Sequence, residues 1–238
     1  MGNIWVMGRK EFASYFASPI AYVAIAVFLV VVGLKFFVVD TFFKTGEASL
    51  RSFFELVPAF FVFYLPAIAM RLVSEEKRLG TFELLATLPV SDAEIVLGKF
   101  TGALGFLKVT LLLTLVYPLM LGLLGEPDWG AIIGGYVGLL LIGSAFLAIG
   151  LMASTWTRSQ IVAYIVGAVL SSLFFFIDRI LGAFFEEAKK VAEYFSFSSH
   201  FSNFTRGVID TRDLVFFVSM IALCLVVATF SLNRRRWN

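Results

Sequence analysis

Six stretches of almost unbroken apolar residues, at about 19–39, 54–73, 100–124, 130–154, 160–181 and 213–232, dominate the chain. A helix rises ~1.5 Å per residue, so about 20 apolar residues cross the ~30 Å hydrocarbon core of a bilayer. Inside lipid every backbone N–H and C=O must be bonded within the protein, which leaves helices or a closed barrel. These runs are longer and more continuous than the alternating ~10-residue strands of a barrel. The pattern predicts an all-α integral membrane protein with six transmembrane helices. Composition agrees, since apolar residues fill 60% of 238 positions and charged residues only 15%, against about 25% charged in soluble domains.

The net charge of +2, without a basic tract of binding length, argues against a nucleic-acid partner. Cys224 is the single cysteine and lies in the last apolar run, so it implies neither a disulfide framework nor a metal cluster. The run from Pro19 is too long for the apolar region of a cleavable signal, and it lacks a convincing small-residue cleavage site.

Residues 1–18 are too polar to span. Ile4, Trp5, Phe12, Tyr15 and Phe16 fall on one helical arc, with Lys10 and Ser14 roughly opposite. This reads as an interfacial helix anchored by aromatic rings, an ordinary juxtamembrane stretch being the alternative. The expected organisation is a single transmembrane domain over 1–238: the interfacial helix, spans one to five over 19–181, an amphipathic outer segment over 182–212, and span six over 213–233. The Arg234-Arg235-Arg236 cluster beside the last span, with Arg71, Lys77, Arg78 and Lys99, places both termini in the cytoplasm by the excess of basic residues at inner span ends. Small residues at Gly98-x-x-x-Gly102 and Gly134-x-x-x-Gly138 suit close helix approach, within one chain or between two.

Between spans two and three lies Ser74-Glu75-Glu76-Lys77-Arg78-Leu79-Gly80-Thr81-Phe82-Glu83-Leu84-Leu85-Ala86-Thr87-Leu88-Pro89-Val90-Ser91. Gly80 breaks one helix and Thr81 is suited to cap the next, which ends near Pro89. Ser91 with Glu94 forms a capping signature for the third span. The product is a short apolar helix on a charged stalk at about 75–90, suited to a groove on a soluble partner. A plain loop helix flanked by charges is the alternative.

The Glu75–Leu85 stretch, followed by Leu88-Pro89-Val90-Ser91 and Ile95-Val96-Leu97-Gly98-Lys99-Phe100, resembles the coupling-helix region of ABC-2 type transporter permeases. Lys10-Glu11-Phe12 with Tyr15-Phe16-x-Ser18-Pro19 is similar to the branch containing the gliding-motility and nitrous-oxide-reductase maturation permeases. So is Ser199-His200-Phe201-x-Asn203-Phe204-x-Arg206-Gly207-Val208-Ile209-Asp210-x-Arg212-Asp213. The resemblance implies a permease subunit in a bacterial inner membrane, forming an export route. It implies a coupling helix that docks on a cytoplasmic ABC ATPase through Glu75, Glu76, Lys77, Arg78, Gly80, Thr81, Phe82, Glu83, Leu84 and Leu85. A second permease copy, as a homodimer, is also implied, and room is left for an auxiliary membrane or periplasmic protein.

Phe197, Phe201 and Phe204, spaced four and three apart, with His200 and Arg206, are candidates for an outer gate, an ordinary interfacial loop being the alternative. His200, the only histidine, reads as a polar loop residue rather than a metal ligand, because no second ligand cluster accompanies it. Lys108, ~13 Å along its helix from Lys99, is a candidate for lining a polar pathway, against snorkelling or a structural hydrogen bond. No Gly-x-x-x-x-Gly-Lys-[Ser/Thr] phosphate loop occurs. The chain is therefore not expected to be an enzyme or to carry a cofactor; ATP and Mg belong on the partner. A channel, a secondary transporter or a membrane-embedded enzyme independent of an ATPase is the competing reading.

Overall fold

The structure, a computed structural model, describes residues 2–39, 50–82, 89–184 and 186–233, and among these every regular element is helical. In chain order they are α1 (Gly2–Phe16), α2 (Pro19–Leu34, continued by a π-helical turn Lys35–Val39), α3 (Arg51–Ala69), α4 (Arg71–Leu79), α5 (Asp92–Thr114), α6 (Val116–Leu124) and α7 (Trp129–Trp156). They continue as α8 (Gln160–Phe184), α9 (Glu186–Phe195), α10 (Phe197–Thr205) and α11 (Thr211–Asn233). Six lengths suffice to cross a membrane: Pro19–Phe37, Arg51–Leu79, Asp92–Leu123, Trp129–Trp156, Gln160–Ala183 and Thr211–Asn233. The second and third are longer than their apolar runs, because helix continues into the polar block between them.

Local chemistry sets the boundaries. Ser18 caps α2 by accepting from the Ile20 N–H, and Pro19 fills the first helical turn, where its missing N–H costs nothing. Ser91 and Glu94 form the expected reciprocal capping box on α5. Asp128 accepts from the N–H groups of Gly130 and Ala131 to open α7. Gly80 ends α4 with φ +74°, a left-handed conformation that a side chain resists, and residues 81–82 are helical again. Pro118 lacks the N–H that would reach the Thr114 carbonyl, and the third span breaks between α5 and α6 there. The Tyr136 hydroxyl of α7 donates to that carbonyl at 3.0 Å, so the break leaves no exposed acceptor in the apolar interior.

α7 is the central post, packed against α3, α5, α8, α10 and α11. Both glycine pairs serve packing within the chain. A Cβ at Gly134 would stand 2.5 Å from the Phe204 carbonyl oxygen, and one at Gly138 2.8 Å from the Phe204 Cβ, so α10 lies directly on α7. A Cβ at Gly98 would meet the Met7 Cβ at 2.6 Å, and one at Gly102 the Glu11 Cβ at 2.6 Å. Phe12 covers Gly105, and Asn3 reaches Glu94 at 3.2 Å. α1 therefore runs alongside the start of the third span, in the same direction. Trp5 is 74% exposed, off the face that Met7, Gly8, Glu11 and Tyr15 press on the bundle. Once α5 is present, shape complementarity to its glycines, rather than apolar character, selects the packed face.

Gly102→Val should push α1 out of this groove and cost about 1–3 kcal/mol, the range for overpacking. Leu123→Val, at an outward-facing side chain, should change stability by less than about 0.5 kcal/mol. Thermal unfolding of the two variants in detergent checks the contrast.

Candidate functional site

The polar block between spans two and three turns its charges inward. Lys99, only 3% exposed, places its Nζ 2.7 Å from Glu76 Oε1 and 3.4 Å from Glu11 Oε2. The three side chains come from α5, α4 and α1, so one ammonium joins three helices. Two carboxylates share it, and the second oxygen of Glu76 is buried without a hydrogen-bond partner among the described residues. The node thus holds more acceptors than donors, and removing the ammonium would leave two carboxylates facing each other.

Neighbouring contacts brace it. Lys77 donates to the Thr155 carbonyl at the end of α7 and stands 5.7 Å from the centre of the Phe82 ring. Ser231 of α11 donates to that same carbonyl at 3.5 Å. Arg71 pairs with Glu75 at 3.6 Å and lies over the Tyr15 ring, whose hydroxyl donates to the Ile68 carbonyl at 3.3 Å. Burial raises the Tyr15 hydroxyl well above its ordinary pKa, so it stays a neutral phenol. The described stretches nearest the two termini meet at this end, through Asn3–Glu94 and Ser231–Thr155.

Of the ten coupling residues expected from sequence, Glu75, Glu76 and Lys77 form part of this network. Arg78, Gly80 and Thr81 are exposed, and the Thr81 hydroxyl donates to the Glu76 carbonyl of the preceding helix at 3.4 Å. Phe82 is half-buried against the core. Glu83, Leu84 and Leu85 lie outside the described residues. Sequence reasoning did not single out Glu11, Lys99 or Thr155 as functional. The available signal was a lysine set between Gly98 and Phe100 in an apolar stretch, which requires an acid from elsewhere.

At the opposite end, α10 separates two environments. Phe197, Phe201 and Phe204 are buried, and Phe197 and Phe204 stand 5.5 and 6.3 Å from the Phe217 ring of α11. Phe201, Arg206, Ser198, Ser202 and Thr205 line an outward-opening cavity of about 1010 Å³, closed by Arg51, Glu55 and Phe54 of α3 and Arg179 of α8. His200 is not the loop residue expected from sequence. It is helical, 8% exposed and bonded through both ring nitrogens, because Asp213 at the start of α11 reaches back to it. Val191 and Phe195 of α9 face outward, while the side chains of Phe184, Phe185 and Ala188 lie outside the described residues.

Lys108 faces outward from the isolated chain. It does not line the cavity, whose walls come from α3, the start of α7, α8 and α10.

A family model described as ABC-2 family transporter protein matches residues 5–237. Over 191 residues the chain is 25% identical to the probable ABC transporter permease protein NosY of Pseudomonas aeruginosa, covering 74% of this chain and 68% of that one.

Lys99→Met should destabilise the protein by about 3–5 kcal/mol, the cost of stranding buried charges. The triple variant Glu11→Gln, Lys99→Met, Glu76→Gln should recover most of that loss. Denaturation of the single and triple variants in lipid nanodiscs provides the comparison.

Proposed function

The chain belongs to the ABC-2 family of transporter proteins, and on that premise we propose that it forms the export route of an ATP-binding cassette transporter driven by a separate ATPase. It is a multi-pass membrane subunit of a transporter. In the proposed reading, residues 1–238 act as one permease domain in a bacterial inner membrane, with both termini in the cytoplasm. ATP and Mg bind to the partner, and a second copy of the chain completes the membrane portion as a homodimer.

One observation carries the coupling: the ammonium of Lys99 ties Glu76 of the polar block to Glu11 of α1 and to the third span. Glu76 lies four residues before Gly80, where α4 ends and the segment proposed to dock begins. A displacement of that segment by the ATPase would pull on Lys99 rather than dissipate in a loose loop. α1 and α5, locked by glycine contacts, would move with it. Lys77 conveys the same displacement to the end of α7, the central post that also carries α10 and the outer cavity. Phe197, Phe201, Phe204, His200 and Arg206 then belong to the outer gate. Lys108, outward-facing and outside the cavity, reads better as a residue facing lipid headgroups or the second copy than as a pathway lining.

Purifying the tagged chain in mild detergent from its native host tests the assignment. An ATPase subunit bearing a phosphate loop, with vanadate-sensitive hydrolysis, is the expected companion. A clean preparation lacking one after crosslinking in nanodiscs would favour a channel or membrane enzyme. Glu83→Ala and Gly80→Val should leave membrane insertion intact but sever ATP hydrolysis from transport in reconstituted vesicles. Normal transport in both variants would count against the docking role.

A further inference from the structure

The outer end contains a second buried polar cluster that the coupling network does not use. His200 Nε2 lies 3.1 Å from the Tyr194 carbonyl oxygen, and Nδ1 lies 2.5 Å from Asp213 Oδ1. A carbonyl oxygen only accepts, so Nε2 carries a proton and donates it. Two bare lone pairs cannot face each other across the Nδ1–Oδ1 gap, so a proton lies there too. The other Asp213 oxygen accepts from the Asn203 side-chain amide at 2.8 Å. The Phe216 ring stacks on the imidazole at 3.9 Å between centroids, and Asp213 is 2% exposed. Sequence places these groups on three elements: Tyr194 on α9, His200 and Asn203 on α10, Asp213 and Phe216 on α11.

We propose that Asp213 is a positioning residue for transport: through a proton shared with His200 it fixes α10, the helix that walls the outer cavity. The Asp213 carboxylate is the partner of both Nδ1 and the Asn203 amide in a water-poor site, where an unmet polar group is costly. Without it α10 would lose both polar ties to α11, through His200 and through Asn203, and keep the aromatic contacts of Phe197 and Phe204 and the packing on Gly134 and Gly138. From α11 the charged group on the imidazole is Asp213, and from α9 the contact is the Tyr194 carbonyl. The charges of α3 and α8 that line the cavity, Arg51, Glu55 and Arg179, share it with Ser198, Ser202 and Arg206. The transport role rests on reading the cavity as part of the export route, whereas the shared proton stands independently of it.

Because the chain has one histidine, ¹⁵N-imidazole labelling of the full chain in nanodiscs gives an unambiguous spectrum. The expected wild-type spectrum has Nε2 protonated and Nδ1 in a strong hydrogen bond. Modification of Ser198→Cys on the cavity wall by a water-soluble thiol reagent should be faster when Asp213→Asn is also present. Asp213→Asn should abolish the strong Nδ1 hydrogen bond and lower ATP-driven transport by about 10- to 100-fold, the worth of a charge-assisted hydrogen bond. Asp213→Glu should restore part of both. An unprotonated Nε2 in the wild type would overturn the shared proton. A normal transport rate in Asp213→Asn, with the spectrum altered as expected, would overturn the role in transport. Cavity labelling unchanged by ATP turnover, with the wild-type imidazole spectrum as expected and labelling faster in Asp213→Asn, would instead overturn the export-route reading and leave the positioning of α10 by Asp213 supported.

Discussion

A buried ammonium is stable only where carboxylates come to meet it, and Lys99 imposes that condition on three helices at once. Its position fixes how closely α1 and α4 approach the third span. The glycines at 98, 102 and 105 then let α1 settle against the same helix without a gap. Neither device would suffice alone. Small residues give close approach without preference for register, while an ion pair gives register without much contact area. Together they join a peripheral helix to a spanning one so that the two have little freedom to slide.

The opposite end uses different means for a similar purpose. There the contacts are mainly aromatic, with Phe197, Phe204, Phe216 and Phe217 surrounding one imidazole and one carboxylate. Gly134 and Gly138 admit α10 onto the central post as Gly98 and Gly102 admit α1 onto the third span. The molecule therefore has a short amphipathic helix clamped at each end, each held by a glycine pair and a buried charge. One sits beside the polar block, the other beside the cavity.

Six spans, the all-helical class, the capping box at Ser91 and the break at Gly80 were legible from sequence because each rests on local chemistry: run length, cap residues and one left-handed backbone position. The family was legible too, since its marker blocks recur in order along nearly the whole chain. The sites were less so. Glu76 could be named as functional, but its cation Lys99 lies 23 residues away and the other carboxylate on that cation 65 away, each on another helix, and no pattern of spacing announces such a meeting. The packed face of α1 was not legible, because an amphipathic arc records average polarity, whereas that face follows the glycines opposite it. His200 misled for a related reason: its polarity suggested a loop until Asp213, thirteen residues on, supplied a buried partner.

The lengths of the second and third spans have a mechanical meaning. At 29 and 32 residues they extend about 44 and 48 Å, against a hydrocarbon core of ~30 Å. Each therefore carries roughly 14–18 Å of helix beyond what the core requires. Lys99 ties the polar ends of the two spans to each other and to α1. A tilt of about 5° over that surplus length displaces its far end by 1–2 Å, the size of the helix shifts that switch packed interfaces.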